Sequence, residues 1–391
     1  MTQALSLFHL LSAEGFDICC VIVGGNPDRH QADFLRNALP VPVVQVYSPY
    51  FVRRGDRGIS MPATIVRLCW SLPRLFRSLR IFDKLVKYHQ PSMIIQCYEP
   101  LVALYRLFHP FPGKIVSIGH QYIYLHESFR FPKGHAGSTW LLRTYTRFTS
   151  FGSDLVLAIS WYDMAASRNN KLVVVPPILR SEVLELRPSD EGYMLVYLVN
   201  AGYLEDIKTW SEAHPDVIIH CFTDMSLIKN EAKGLGEHHS LFIHGLDAKF
   251  FLEYLSGCSV LVSTAGFETV CEARYLGKGC FVVPVEGHFE QYCNAQDAQV
   301  LGVAAGLYFD LDRAYSQRAL INDTDESFRN WVDACRGMLL HYFRQENQDI
   351  SHTAAVDGQS RSTRMHAIPG GAQSVIEQFH PPHAGVRVSG S

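Results

Sequence analysis

Short apolar runs, each closed by glycine, proline or small polar residues, recur in two series along the first 310 or so residues, with helical stretches between them. That alternation restricts the chain to an α/β architecture. The first series comprises residues 16–23, 43–46, 93–95, 114–118, 155–159 and 172–175, with a helical stretch such as 62–89 between runs. The runs are continuously apolar, the pattern of parallel strands buried on both faces. The second series comprises 194–199, 217–221, 240–243, 260–262 and 280–283. Pro176-Pro177 and the polar stretch 187–192 separate the two series. Two doubly wound domains follow: an N-terminal one over 1–178, a linker at 179–192 and a C-terminal one over 193–312. Closing helices occupy 313–344, where 327–343 has an amphipathic pattern. From 345 to 391 glycine, proline, serine, histidine and glutamine replace the aliphatics. Such a tail cannot bury a core and is expected to be disordered.

The start of the chain is unusual for this fold. Ala4, Leu5, Phe8, Leu10 and Leu11 recur at helical spacing, with Gly15 as a stop. A doubly wound domain normally opens on a strand. Either the arrangement differs here, or the first strand is absent from this sequence.

Composition narrows the function classes. Of 391 residues 47% are hydrophobic and 19% charged, which suits two globular cores. A net charge of −3 gives no reason to expect nucleic acid as a partner. Ten cysteines without a C-x-x-C pair read as reduced thiols in a cytoplasmic protein, and no zinc-like spacing or other metal site is expected. No secretory signal opens the chain, and no apolar run approaches the roughly 20 residues of a membrane span.

The chemistry concentrates in 260–273. There an apolar strand ends in Ser263-Thr264-Ala265-Gly266 and a helix opens, with Glu272 further along it. Small side chains let a phosphate approach the backbone, and the amides and dipole of a helix start favour its charge. Glu272 is placed to accept hydrogen bonds from ribose hydroxyls. The next strand, 281–283, ends in Pro284 and a polar cluster with His288, Glu290, Gln291 and Asn294. It lies on the same sheet edge, where open α/β sheets bind ligands. A carboxylate beside an amide suits sugar hydroxyls.

These two segments together resemble the C-terminal signature of GT-B glycosyltransferases related to the bacterial lipid-II-forming N-acetylglucosaminyltransferase. The resemblance covers residues 1–312 in layout and is specific over about 250–298, with Gly287-His288-Phe289-Glu290-Gln291 in place of a Gln-Gln pair. It implies two Rossmann-like domains facing across a cleft and a nucleotide-sugar, UDP-linked, as donor substrate, with no cofactor. It assigns Ser263, Thr264, Ala265 and Gly266 to the phosphates, Glu272 to ribose, and His288, Glu290 and Gln291 to the donor sugar. Asn294 supports the loop. Asn200 and Gly202 match a glycine-rich donor loop, although a plain turn accounts for them equally well. Gly119-His120-Gln121 resembles a loop near the interdomain cleft, which makes His120 a candidate base. Glu99, at another strand end, is a second candidate base or acceptor contact. Relatives begin with a strand and a Gly-His loop just before a helix like 2–5, so an absent first strand is expected here.

The implied activity is transfer of a hexose or N-acetylhexosamine from a nucleoside diphosphate to an acceptor hydroxyl, without metal. The acceptor is unidentified, a lipid-linked one included. Two rivals share the layout: a nucleotide-sugar epimerase, and a non-catalytic nucleotide-sugar-binding protein. Finally, nine basic residues between Arg53 and Lys87 interleave with Trp70, Leu72, Leu75, Phe76 and Leu79. They form either a solvated helix face or a surface touching anionic lipid at the inner membrane.

Overall fold

The computed structural model describes residues 2–25, 31–49, 53–54, 58–59, 61–198, 203–225, 240–319 and 324–357. One compact unit comprises Met1–Asn347; Gln348–Ser391 form another, of which the described part is helical.

In the N-terminal lobe the order is α1 (Thr2–Ala13), β1 (Val21–Gly25), α2 (Gln31–Ala38), β2 (Val43–Tyr47), the hairpin β3 (Arg53–Arg54) and β4 (Gly58–Ile59), then α3 (Met61–Trp70) and α4 (Leu72–His89). It continues through β5 (Met93–Gln96), α5 (Pro100–Phe108), β6 (Lys114–Gly119), α6 (Ala136–Thr149), β7 (Leu155–Ile159), β8 (Leu172–Val175) and α7 (Ser181–Glu185). A single helical stretch was expected over 62–89. The chain instead breaks at Ser71, with Pro73 in the first turn of α4, where its missing N–H costs nothing.

The parallel strands of this lobe form two sheets, β1-β2 and β5-β6-β7-β8. Both share the same covering layers. On one face α1 sends Phe8 to Val23 and Val43, and Leu7 and Leu11 to Val116 and Leu157. On the other, Leu79 and Leu101 pack among Val46 and Ile115. β7 is wholly buried, whereas Met93, Ile94 and Ile95 of β5 and Val21 and Ile22 of β1 are only half-buried. Among the described residues no strand pairs with the second edge of β1 or of β5.

The C-terminal lobe is one six-stranded parallel sheet. Its elements are β9 (Met194–Leu198), α8 (Leu204–Ala213), β10 (Ile219–Thr223), β11 (Leu241–His244), α9 (Ala248–Gly257), β12 (Val260–Thr264), α10 (Phe267–Tyr275), β13 (Gly279–Val283), α11 (Phe289–Asp297), β14 (Ala304–Ala305) and α12 (Leu311–Ser316). The order is β11-β10-β9-β12-β13-β14. Side chains alternate between two cores: Leu195, Leu261 and Val282 lie on the α9–α10 face, Met194, Val196, Val260 and Val262 on the α8–α12 face.

Two helices close the body, α13 (Thr324–Asp333) and α14 (Cys335–Asp357), where one was expected over 327–343. The expected disordered tail started at 345; α14 continues to Asp357, and residues 358–391 lie outside the described ones. Cys335, Leu339 and Phe343 of α14 enter the N-terminal core beside Leu7, Leu11, Val116 and Leu157. Arg344 reaches Glu14 at 2.7 Å.

Leu339 is fully buried in that core. Leu339→Ala should therefore cost about 2–5 kcal/mol, and the volume-conserving Leu339→Met less than about 1.5 kcal/mol, in urea unfolding.

Candidate functional site

The site forms where the C-terminal ends of the strands of both lobes meet. In the C-terminal lobe β12 runs into the turn 263–266. Ser263, Thr264 and Ala265 are buried there, and the Ser263 hydroxyl donates to the Thr264 carbonyl at 3.0 Å. Their side chains therefore shape the turn. Gly266 is the N-cap of α10 and supplies no side-chain capping bond. The amides of the first helical turn have no acceptor within the helix, so this end of α10 is suited to an anion.

Glu272, further along α10, is held in a buried bidentate pair. Arg180 Nε and Nη2 each donate at 2.6 Å to its two oxygens, with the side chains 15% and 4% exposed. Sequence reasoning left Arg180 inside a linker. Its one signal was a lone cation three residues after Pro176-Pro177, next to no recognisable motif.

The polar loop after β13 is arranged from within and from across the seam. Gln291 Oε1 accepts the Val285 N–H at 2.8 Å, which ties the loop to its own helix. His288 is the N-cap of α11. Glu290 accepts Gln121 Nε2 from the N-terminal lobe at 2.9 Å. Asn294 is buried; its Nδ2 donates to the Ala265 carbonyl at 3.1 Å, while its Oδ1 accepts the Tyr124 hydroxyl at 2.9 Å. Asn200 and Gly202 lie outside the described residues.

His120 is buried at the seam between the lobes. It is 4% exposed, with Nδ1 at 2.9 Å from the Ile159 carbonyl and Nε2 at 3.1 Å from Asn294 Oδ1. Its ring stacks on Phe267 at 3.8 Å. Burial lowers its pKa to about 4, opposed by those two contacts. A neutral ring has a single N–H and donates to only one of these two oxygens; buried between them, His120 lies in the joint between the lobes.

Glu99 is differently placed. Tyr98 adopts a left-handed φ of 59°, turning the chain so that Glu99 becomes the N-cap of α5. Glu99 Oε1 accepts Ser48 Oγ at 2.5 Å and the Leu101 N–H at 3.2 Å. A Cβ on Gly24 would fall against the Glu99 carboxylate and the Ser48 side chain, so a side chain there would displace them. Burial raises the pKa of Glu99, and the Ser48 and Leu101 bonds oppose it.

Among the described residues no group of three or more His, Cys, Asp or Glu could hold a metal ion, and no helix is long and apolar enough to cross a membrane.

Residues 14–321 match the model of glycosyl transferase family 1. The chain belongs to that family. Solved glycosyltransferases share its two-lobed fold. A glycotransferase of kitacinnamycin is 15% identical, with 88% of this chain and 95% of that one covered and a TM-score of 0.60. Arabidopsis thaliana UGT89C1 complexed with UDP is 13% identical, with 90% and 96% covered and a TM-score of 0.56. Acinetobacter baumannii MurG is 14% identical, with 88% and 95% covered and a TM-score of 0.50. No curated protein sequence matches. The two Rossmann-like lobes of this glycosyltransferase are thus a GT-B fold.

One buried acid at the seam has a measurable effect. Asp297 accepts the Tyr162 hydroxyl at 3.0 Å, but its Oδ2 is buried without a partner. Burial raises its pKa from 3.8 to about 6. Between those values the folded enzyme holds a proton that the unfolded chain has lost, so stability falls as pH rises through this window. The penalty at pH 8 is of order 3 kcal/mol. Asp297→Asn keeps an acceptor for Tyr162 and should raise the melting temperature at pH 8 while leaving it nearly unchanged at pH 4.

Proposed function

We propose that this glycosyltransferase moves a hexose or N-acetylhexosamine from a UDP-linked donor to an acceptor hydroxyl held by the N-terminal lobe, without a metal. The observation that carries the reading is the start of α10, which has no side-chain cap and sits at the C-terminal edge of the central strand β12, opposite the N-terminal lobe. The UDP and UDP-L-rhamnose complexes of the structurally similar UGT89C1 support a nucleotide donor. A thymidine diphosphate complex of spinosyn rhamnosyltransferase does the same.

In this reading the first-turn amides and dipole of α10 stabilise the diphosphate as the bond from it to C1 of the sugar breaks and the electron pair leaves with it. Glu272 accepts the ribose hydroxyls, oriented by Arg180. His288, Glu290 and Gln291 meet the donor sugar. Glu99 takes the proton of the acceptor hydroxyl as its oxygen bonds to C1.

Three measurements test this. Glu99→Gln should lower kcat about 10²–10⁴-fold, the usual range for a general base, with UDP affinity unchanged. In the wild type the rate should fall on acidification with an apparent pKa above 4.5, the ordinary value from which burial raises this carboxyl. Glu272→Ala should weaken UDP binding in calorimetry by about 1–3 kcal/mol. A folded Glu272→Ala chain with wild-type affinity would remove Glu272 from the donor site, and an epimerised donor formed without acceptor would replace the transferase reading.

We also propose that α3 and α4 touch anionic lipid, which would bring a lipid-linked acceptor within reach. Trp70 is 84% exposed, and Val66, Leu72 and Phe76 are exposed beside Arg74, Arg77 and Arg80. Binding to phosphatidylglycerol vesicles, weakened by salt and by Trp70→Ala and absent with phosphatidylcholine, is the expected result. Equal binding of both vesicle types, or of neither, counts against it.

A further inference from the structure

The turn expected to hold the donor diphosphate is braced from the opposite lobe. Asn294 Nδ2 donates to the carbonyl of Ala265 at 3.1 Å, and that carbonyl belongs to the same peptide unit as the Gly266 N–H. A trans peptide is planar, with its C=O and N–H antiparallel. The Gly266 N–H donates to the Thr264 carbonyl at 2.7 Å, so the bond from Asn294 holds the other end of a peptide that leads directly into the helix starting at the next residue. Asn294 Oδ1 accepts the Tyr124 hydroxyl of the N-terminal lobe at 2.9 Å, and His120 Nε2 lies beside it at 3.1 Å. His120 meanwhile stacks on Phe267, the first residue of α10, at 3.8 Å. Tyr124, His120 and Asn294 are all buried, so water does not compete for these contacts.

We propose that Tyr124 and His120 are positioning residues for the donor: through Asn294 and Phe267 they fix the Ala265–Gly266 peptide and the start of α10, so that affinity for the nucleoside diphosphate depends on contacts made by the acceptor lobe. The proposal rests on the donor-site reading above and adds to it a dependence of one substrate site on the lobe that holds the other. The hydrogen bond of the Tyr124 hydroxyl goes to Asn294. Its effect on donor affinity passes through Asn294.

The test is UDP calorimetry on the full chain at a temperature where circular dichroism shows every variant folded. Tyr124→Phe should weaken UDP binding about tenfold, and Asn294→Ala at least as much. The double variant should be no weaker than Asn294→Ala alone, because both substitutions break one linked path. Tyr193→Phe is the control. It removes another buried tyrosine bond, to the Tyr254 carbonyl at 2.8 Å inside the C-terminal lobe, and should bind UDP as the wild type does. Wild-type affinity in Tyr124→Phe, or strictly additive losses in the double variant, overturns the proposal while leaving the donor site standing. A loss in Tyr193→Phe equal to that in Tyr124→Phe overturns it too, since general loosening would then explain both. If the wild type binds no UDP, the donor-site reading fails first and this inference falls with it. Should Tyr124→Phe not fold, His120→Asn in the same assay decides, with the same expected weakening.

Discussion

Asn294 directs its buried carboxamide in two directions, its N–H to the turn of its own lobe and its oxygen to Tyr124 and His120 of the other. A buried amide left without partners costs about 1–3 kcal/mol, so the two lobes are stable against each other in essentially one registration. Other bonds repeat that constraint along the seam. Gln121 donates to Glu290 at 2.9 Å, Gln296 to the Arg130 carbonyl at 2.8 Å, and Trp331 to the Ser160 carbonyl at 3.1 Å. Each joins a strand end or loop of one lobe to a helix of the other. The distances across the cleft are thus set by hydrogen-bond geometry, which tolerates less drift than apolar packing does.

That registration divides the proposed chemistry. The N-terminal lobe supplies Glu99 from the end of β5, kept protonatable by burial and steadied by Ser48. The C-terminal lobe supplies backbone amides at α10, a polar loop before α11 and the Arg180–Glu272 pair. Arg180 belongs to the crossing segment just before α7, so the charge that orients Glu272 arrives from the connection between the lobes. Isolated, Glu272 would be a buried carboxylate without a counter-charge, which is far costlier than the paired state.

The parts legible in the sequence were those whose meaning is local. The run 260–273 could be read as strand, turn and helix because each step depends on neighbours within a few residues, and β12 and α10 fall there. The alternation of runs gave both lobes and the positions of β2, β5, β6, β7 and β8. What was illegible depended on distant partners. His120 at a strand end reads as a base or a strut, and its neighbours Phe267 and Asn294 lie far along the chain. Arg180 finds Glu272 across 92 positions. Tyr124 carried no signal at all, because an aromatic residue after a strand is ordinary until Asn294 is placed beside it. The breaks at Ser71 and Ala334, which split expected single helices, were missed because helical periodicity continues across them.

The last helix of the body completes the first core. Leu339 and Phe343 cover the face of β6 and β7 that Leu7 and Leu11 cover only in part. During synthesis, residues up to 178 leave the ribosome well before residue 343 does. At about 5–20 residues per second the interval is roughly ten to thirty seconds. Through that time the N-terminal strands have all their sequence and an unfinished apolar face. The C-terminal lobe, whose two cores draw on residues 161–332 only, has everything it needs sooner. The lobe made first therefore waits longest for its last covering side chains, and its apolar face stays open until α14 has been made.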